Sequence, residues 1–155
     1  MIDPVLRAVD TADAEALHAI FTERGVRQYL FDDRLLSRLQ TQKHLEATLA
    51  HGGWVVCRND TVVGLVSLRP AGADRELLIA LSERCWGRGL AFAAAQAAMR
   101  HGFEVLKLER IVASVDLPNE RSHRLMARLG FAPCGESDGP KYRVRNYEAL
   151  RRSGT

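Results

Sequence analysis

The chain has 155 residues, 46% hydrophobic and 26% charged, with a formal net charge of +3 at pH 7, an ordinary composition for one globular domain. No apolar run approaches the ~20 residues needed to span a bilayer, and Met1-Ile2-Asp3-Pro4 lacks the basic and apolar regions of a signal peptide, so a cytoplasmic protein with no membrane partner is expected. Basic residues gather only towards the C-terminal end (Lys141, Arg143, Arg145, Arg151 and Arg152), a short tail rather than the broad basic face that nucleic acid requires.

Cys57, Cys85 and Cys134 form no CxxC pair, and an odd count is no disulfide framework, which fits a reducing compartment. The histidines, His18, His44, His51, His101 and His123, contain no HExxH and no pair at ligand spacing. No metal is expected.

In chain order, Val5 to Val9 alternates apolar and polar residues as a half-buried strand does. Asp10 or Thr11 then caps a helix to about Thr22, with Ala12, Ala16, Leu17 and Ile20 as its apolar stripe. Ser37 starts a second helical region, whose Leu39, His44, Leu45, Thr48 and Leu49 precede a stop at His51-Gly52-Gly53. A hairpin follows, Trp54 to Arg58 and Thr61 to Leu68 around Asn59-Asp60, closed by Arg69-Pro70-Ala71-Gly72. Glu76 to Leu81 is a nearly continuous apolar run, the pattern of a strand covered on both faces. After the loop Cys85-Trp86-Gly87-Arg88-Gly89, the Ala-rich stretch from Leu90 to Phe103 is strongly helical by propensity. Arg110 to Asp116 reads as a strand, and Pro118-Asn119 opens a helix that Gly130 ends as a left-handed cap. Two extended segments, about Phe131 to Ser137 and Lys141 to Tyr147, finish the chain. The order β-α-α-β-β-β-α-β-α-β-β, with a right-handed crossover from Glu76 to Asp116, predicts a single α/β domain over 1–155 with a mixed central sheet.

The glycine loop carries the chemistry. Glycines between a buried strand and a helix let backbone approach a ligand, while free N–H groups and the helix dipole favour an anion. Trp86-Gly87-Arg88-Gly89-Leu90-Ala91 offers both, and Arg88 adds a cation; a tight turn without a ligand is the alternative. The dinucleotide fingerprint fails, because Phe92 stands at its third glycine and four strands precede the loop. GxxxxGK[ST] is absent.

Glu76 to Phe131 resembles the GNAT superfamily of N-acetyltransferases, particularly its RimJ/RimL-like branch. The family's Q/R-x-x-G-x-G/A loop is matched literally by Arg84-x-x-Gly87-x-Gly89; Trp86-x-x-Gly89-x-Ala91 departs at its first position but keeps the spacing from Leu81. Leu117-Pro118-Asn119-Glu120-Arg121-Ser122 is similar to the branch's PxNxxS signature, Leu129-Gly130-Phe131 to its LGF close, and Val26 to Leu30 to its acceptor-side segment.

The resemblance implies a mostly antiparallel central sheet with one parallel, splayed strand pair and helices on both faces. It implies acetyl-CoA as co-substrate, with pantetheine on the backbone of Ile79, Ala80 and Leu81 as an added pseudo-strand. Pyrophosphate would lie on Gly87, Arg88, Gly89, Leu90, Ala91 and Phe92, and Asn119 would bond the pantetheine arm or simply cap its helix. The acceptor is an amine, a protein N-terminus or a small molecule, attacking directly in a ternary complex. The Leu81 N–H is the candidate oxyanion donor. Glu76 is the candidate base through water, or else an exposed strand-end residue. The family's acidic tyrosine position holds Met126, so Ser122 is the candidate acid, or else a helix-start hydroxyl bonded to backbone. Tyr29, Phe31, Asp32 and Asp33 are candidates for the acceptor entrance. A non-catalytic acyl-CoA sensor of the same fold is the alternative function, and a monomer or a homodimer fits equally.

Overall fold

A computed structural model describes residues 5–152. Strands β1 (Val5–Ala8), β2 (Gly53–Arg58), β3 (Thr61–Ala71), β4 (Asp74–Leu81), β5 (Arg110–Asp116), β6 (Ala132–Asp138) and β7 (Arg143–Leu150) form one sheet in the order β1-β2-β3-β4-β5-β7-β6. Every neighbouring pair is antiparallel except β4 and β5. Helices α1 (Ala14–Phe21), α2 (Arg24–Leu30) and α3 (Arg38–His51) lie between β1 and β2 in the chain. Helix α4 (Leu90–Glu104) crosses from β4 to β5, and α5 (Glu120–Leu129) leads to β6.

Alternation along the strands sends successive side chains into two separate cores. Leu77, Leu81, Ile111, Ala113 and Val115 pack with Leu90, Ala94, Ala98 and Met126 of α4 and α5. Val55, Leu65 and Ala80 pack instead with Leu17, Phe21, Val26 and Leu45 of α1 to α3. The β2–β3 turn is the expected one, with Asn59 and Asp60 both at positive φ, as a two-residue hairpin loop of the right twist requires.

Strand β3 extends past its expected close. Pro70 lies inside it, opposite Arg75. Its missing N–H costs no ladder bond: hydrogen-bonded pairing of Asp74 with Ala71 alternates away from Pro70, and β2 ends its pairing at Ser67. Helix α2 was not expected as a helix from residue pattern; it is short, its Glu23 N-cap makes no side-chain cap bond, and it buries Val26. The α3 stripe also differs: Thr41, Leu45 and Thr48 are buried, while Leu39 is 62% and Leu49 40% exposed. Both threonines are satisfied, Thr41 Oγ1 by His18 Nδ1 at 2.7 Å and Thr48 by donating to the His44 carbonyl at 2.9 Å, so polar residues fill an apolar face.

At the start of the fold, Asp10 accepts from Ala12 N–H and the buried Asp13 accepts from Asp10 N–H at 2.8 Å. Arg7 donates two bonds to Asp13, at 2.7 and 2.9 Å. Those bonds, with that from Asp10, hold the Asp13 carboxyl below the usual carboxylate range. The group's contribution is therefore complete above its unfolded value of about 3.9 and is lost as pH falls through the lower folded value. Asp13→Ala is expected to cost about 2 kcal/mol at pH 7. Urea unfolding at pH 7 and at pH 3 tests this: the gap between variant and wild type narrows at the lower pH.

Candidate active site

Beyond Glu76↔Val112 the pairing of β4 with β5 stops, and the two strands diverge around a cleft of about 800 Å³. The phase of the flanking ladders decides which backbone groups face it. Ser82 N–H donates to the Val63 carbonyl at 2.8 Å, so the alternation of an antiparallel ladder commits Ala80 to Leu65 and leaves Ile79 and Leu81 facing the gap. On the other side, Leu117 N–H donates to Arg143 and Arg151 N–H to Glu109. Ser114 therefore presents its backbone to the cleft, and Asp116 its N–H, since the Asp116 carbonyl accepts from Asn119 N–H.

Trp86 folds back over the strand end and donates its indole N–H to the Leu81 carbonyl at 2.8 Å. Next to it, Gly87 and Gly89 adopt left-handed φ of 77° and 78°, the conformation that glycine takes without a Cβ penalty. Gly89 caps α4 with no side-chain bond, and the first turn of α4 holds no acidic residue. Its N–H groups and dipole are thus free to favour an anion. Gly87, Gly89, Leu90, Ala91 and Phe92 line the cleft. Arg88 does not; it is exposed beside the loop, since consecutive positions in a turn point in different directions. The cations of the cleft come from α5 instead: Arg121 stacks over Trp86 at 3.8 Å and Arg128 over Phe92 at 4.6 Å, with Arg124 also on the wall.

Asn119 is the N-cap of α5: its Oδ1 accepts from Ser122 N–H at 3.3 Å and its Nδ2 donates to Ser122 Oγ at 3.0 Å. Both residues line the cleft. Because the Ser122 oxygen accepts from Asn119, the hydroxyl keeps its own proton for another partner. His123 is turned away from the cleft. Its Nε2 lies 3.1 Å from the carbonyls of Asp116 and Leu117, which only accept, so Nε2 carries the proton. In the neutral ring Nδ1 then accepts from the Tyr147 hydroxyl at 2.6 Å.

Glu76 is not brought to the cleft. Its cross-strand partner is Arg69, whose guanidinium holds the Glu76 carboxylate at 2.6 Å, and it does not line the walls. Cys85 is buried and does line them, with no histidine beside it on the cleft surface.

The lid is α2, bolted to the end of β4. Glu23 accepts from the Ser82 hydroxyl at 2.7 Å and from Glu83 N–H at 2.8 Å, and Gly25 N–H donates to Glu83. A Cβ on Gly25 would meet Glu83 and Trp86 below 3.0 Å, so the small residue permits the approach. Tyr29 reaches the cleft and packs against Tyr142 at 5.8 Å. Phe31 is buried against Phe21 and His44 rather than at the entrance. Asp32 and Asp33 turn the chain at positive φ, with Asp33 paired to Arg27 and Lys141.

Residues 5–132 match the family model described as "Acetyltransferase (GNAT) domain". Spermidine N(1)-acetyltransferase of Escherichia coli (strain K12) is 28% identical over 137 residues, covering 84% of this chain and 74% of that protein. A GNAT-family acetyltransferase structure from Bacillus anthracis superposes with a TM-score of 0.85 at 21% identity, over 97% of this chain and 96% of that one. A ribosomal-protein alpha-N-acetyltransferase, RimL, solved in complex with coenzyme A, gives a TM-score of 0.83 at 20% identity, over 97% and 95%.

Proposed function

The chain belongs to the GNAT family of acetyltransferases, and from that premise we propose that it transfers acetyl from acetyl-CoA to a primary amine held in the same cleft. The observation that carries this reading is the gap beyond Glu76↔Val112, where unpaired strand backbone leads through the glycine loop to the start of α4, whose N-cap makes no side-chain bond. A long ligand with amides along its arm and phosphates at its end suits that sequence of donors and acceptors.

On this reading Ile79 binds the pantetheine arm through its backbone and Leu81 keeps its N–H for the thioester end, while Ala80, committed to Leu65, contributes wall rather than hydrogen bonds. The N–H groups from Gly87 to Phe92 take the pyrophosphate, and the α5 arginines border it. Asn119 keeps one N–H and one lone pair beyond its contacts with Ser122, enough to bond the arm as well as cap the helix.

The thioester supplies an activated acyl carbon; the amine nitrogen adds to it, the resulting tetrahedral oxyanion collapses as the carbon–sulfur bond breaks, and coenzyme A leaves as the thiol. Leu81 N–H, fixed by the sheet, stabilises the oxyanion. Ser122 Oγ–H donates to the departing sulfur, and the proton that the nitrogen sheds on becoming an amide restores the hydroxyl. Glu76, paired with Arg69 and off the cleft wall, is left out of the proton transfer on this reading.

Calorimetric titration with acetyl-CoA, with NADH as control, is the first test. Binding on the order of micromolar for acetyl-CoA alone, followed by thiol release on adding spermidine or glycinamide, is the expected result. Binding with no release for a wide set of amines favours a non-catalytic acyl-CoA sensor. Absence of binding overturns both.

A further inference from the structure

Strand β5 buries Ile111, Ala113 and Val115 under α4 and α5, so alternation turns Ser114 and Asp116 towards the α2 side. Asp116 lines the cleft at the point where the strand ends. Its Oδ2 is buried and has no hydrogen-bond partner. A carboxylate oxygen removed from water without a donor is costly, and one beside a cleft calls for an explanation.

The surrounding charges do not complete it. On α5, Arg121 is stacked on Trp86, Arg128 on Phe92, and Arg124 lies 3.9 Å from Glu120. His123 directs its N–H to the backbone carbonyl of Asp116, not to its side chain. From the lid come Tyr29 and, just beyond, Asp32. Burial, and then the Asp32 carboxylate, hold the Asp116 carboxyl above its ordinary range. The position has two acids and lacks a cation.

We propose that Asp116 receives the protonated amine of the acceptor and accepts its proton, which makes the acceptor a cationic primary amine. This rests on the transfer reading above. One proton passes from the ammonium to the Asp116 carboxylate where it faces the cleft, and the N–H electron pair stays on nitrogen as the lone pair that attacks. The proton then returns to solvent before the next turnover. The raised carboxyl suits this task, because a base with an upward-shifted value holds a proton better near neutral pH.

Asp116→Asn preserves shape and removes the charge. With spermidine and with glycinamide as acceptors, kcat/KM at pH 7 is expected to fall on the order of a hundredfold. Calorimetric affinity for acetyl-CoA should stay within about twofold of wild type. The variant's rate should climb about tenfold per pH unit between pH 7 and 9, following the neutral fraction of spermidine, while the wild-type profile is flatter. Asp116→Glu should recover part of the loss. Activity of D116N within about threefold of wild type overturns the assignment, as does an equal loss of acetyl-CoA affinity, which marks a scaffold role. If the wild type releases no thiol with either amine, the transfer reading fails and this assignment goes with it.

Discussion

Gly89→Val is expected to lower the affinity for acetyl-CoA on the order of a hundredfold, about 2.7 kcal/mol, while the chain remains folded. Gly89 holds a φ of 78° as the N-cap of α4, a region that a β-branched residue occupies only under strain of about 1–3 kcal/mol. A Cβ there would meet nothing within 4 Å. The cost is therefore conformational, and the chain relieves it by turning the residue out of the left-handed region. That rotation swings the N–H groups at the start of α4 away from their common focus, and an anion site built from convergent backbone donors is lost. Gly89→Ala, with one methyl group and no branch, should fall between. Calorimetry of both variants, with thermal melts to confirm folding, makes the comparison; equal affinities across the series would dismiss the loop as the phosphate seat.

Ser122→Ala should act on rate rather than on binding. Its hydroxyl accepts from Asn119 Nδ2 and retains a proton directed to other partners. Removing it takes a donor from the leaving sulfur, and kcat is expected to fall about a hundredfold, with the acetyl-CoA dissociation constant changed less than about threefold. The helix start survives, because Asn119 Oδ1 accepts from the backbone N–H of residue 122 whatever its side chain. A rate equal to wild type would remove Ser122 from the chemistry. A loss confined to binding would make it a cofactor contact.

Local signals were legible wherever the chain determines its own conformation. Asn59-Asp60 fixes a turn, the Ala-rich run fixes α4, Ser37 with Gln40 closes the capping box of α3, and Gly130 ends α5 at a φ of 89°. What the residues could not reveal depends on partners far away in the chain. Helix α2 is held over the cleft by Glu23 and Glu83, acting across nearly sixty positions. Glu76 read as a free carboxylate until the β3–β4 register set Arg69 opposite it. Arg88 stands between the glycines but is exposed and off the cleft wall, whereas Arg121 reaches the loop from another helix. Asp116 was visible only as the last residue of a strand; that its Oδ2 is buried without a partner is a matter of tertiary packing.

The two cores on opposite faces of the sheet have an evolutionary consequence. On the proposed reading the α4–α5 layer surrounds the acyl donor's seat, whereas the α1–α3 layer shapes the acceptor side, and the two cores share mainly the strands between them. Substitutions in separate layers, more than ~10 Å apart and without shared partners, act almost independently. Lineages of this architecture are thus free to drift in one layer, trading one amine for another, while the other stays under constant selection. A single inherited acyl-donor seat then serves descendants with different appetites.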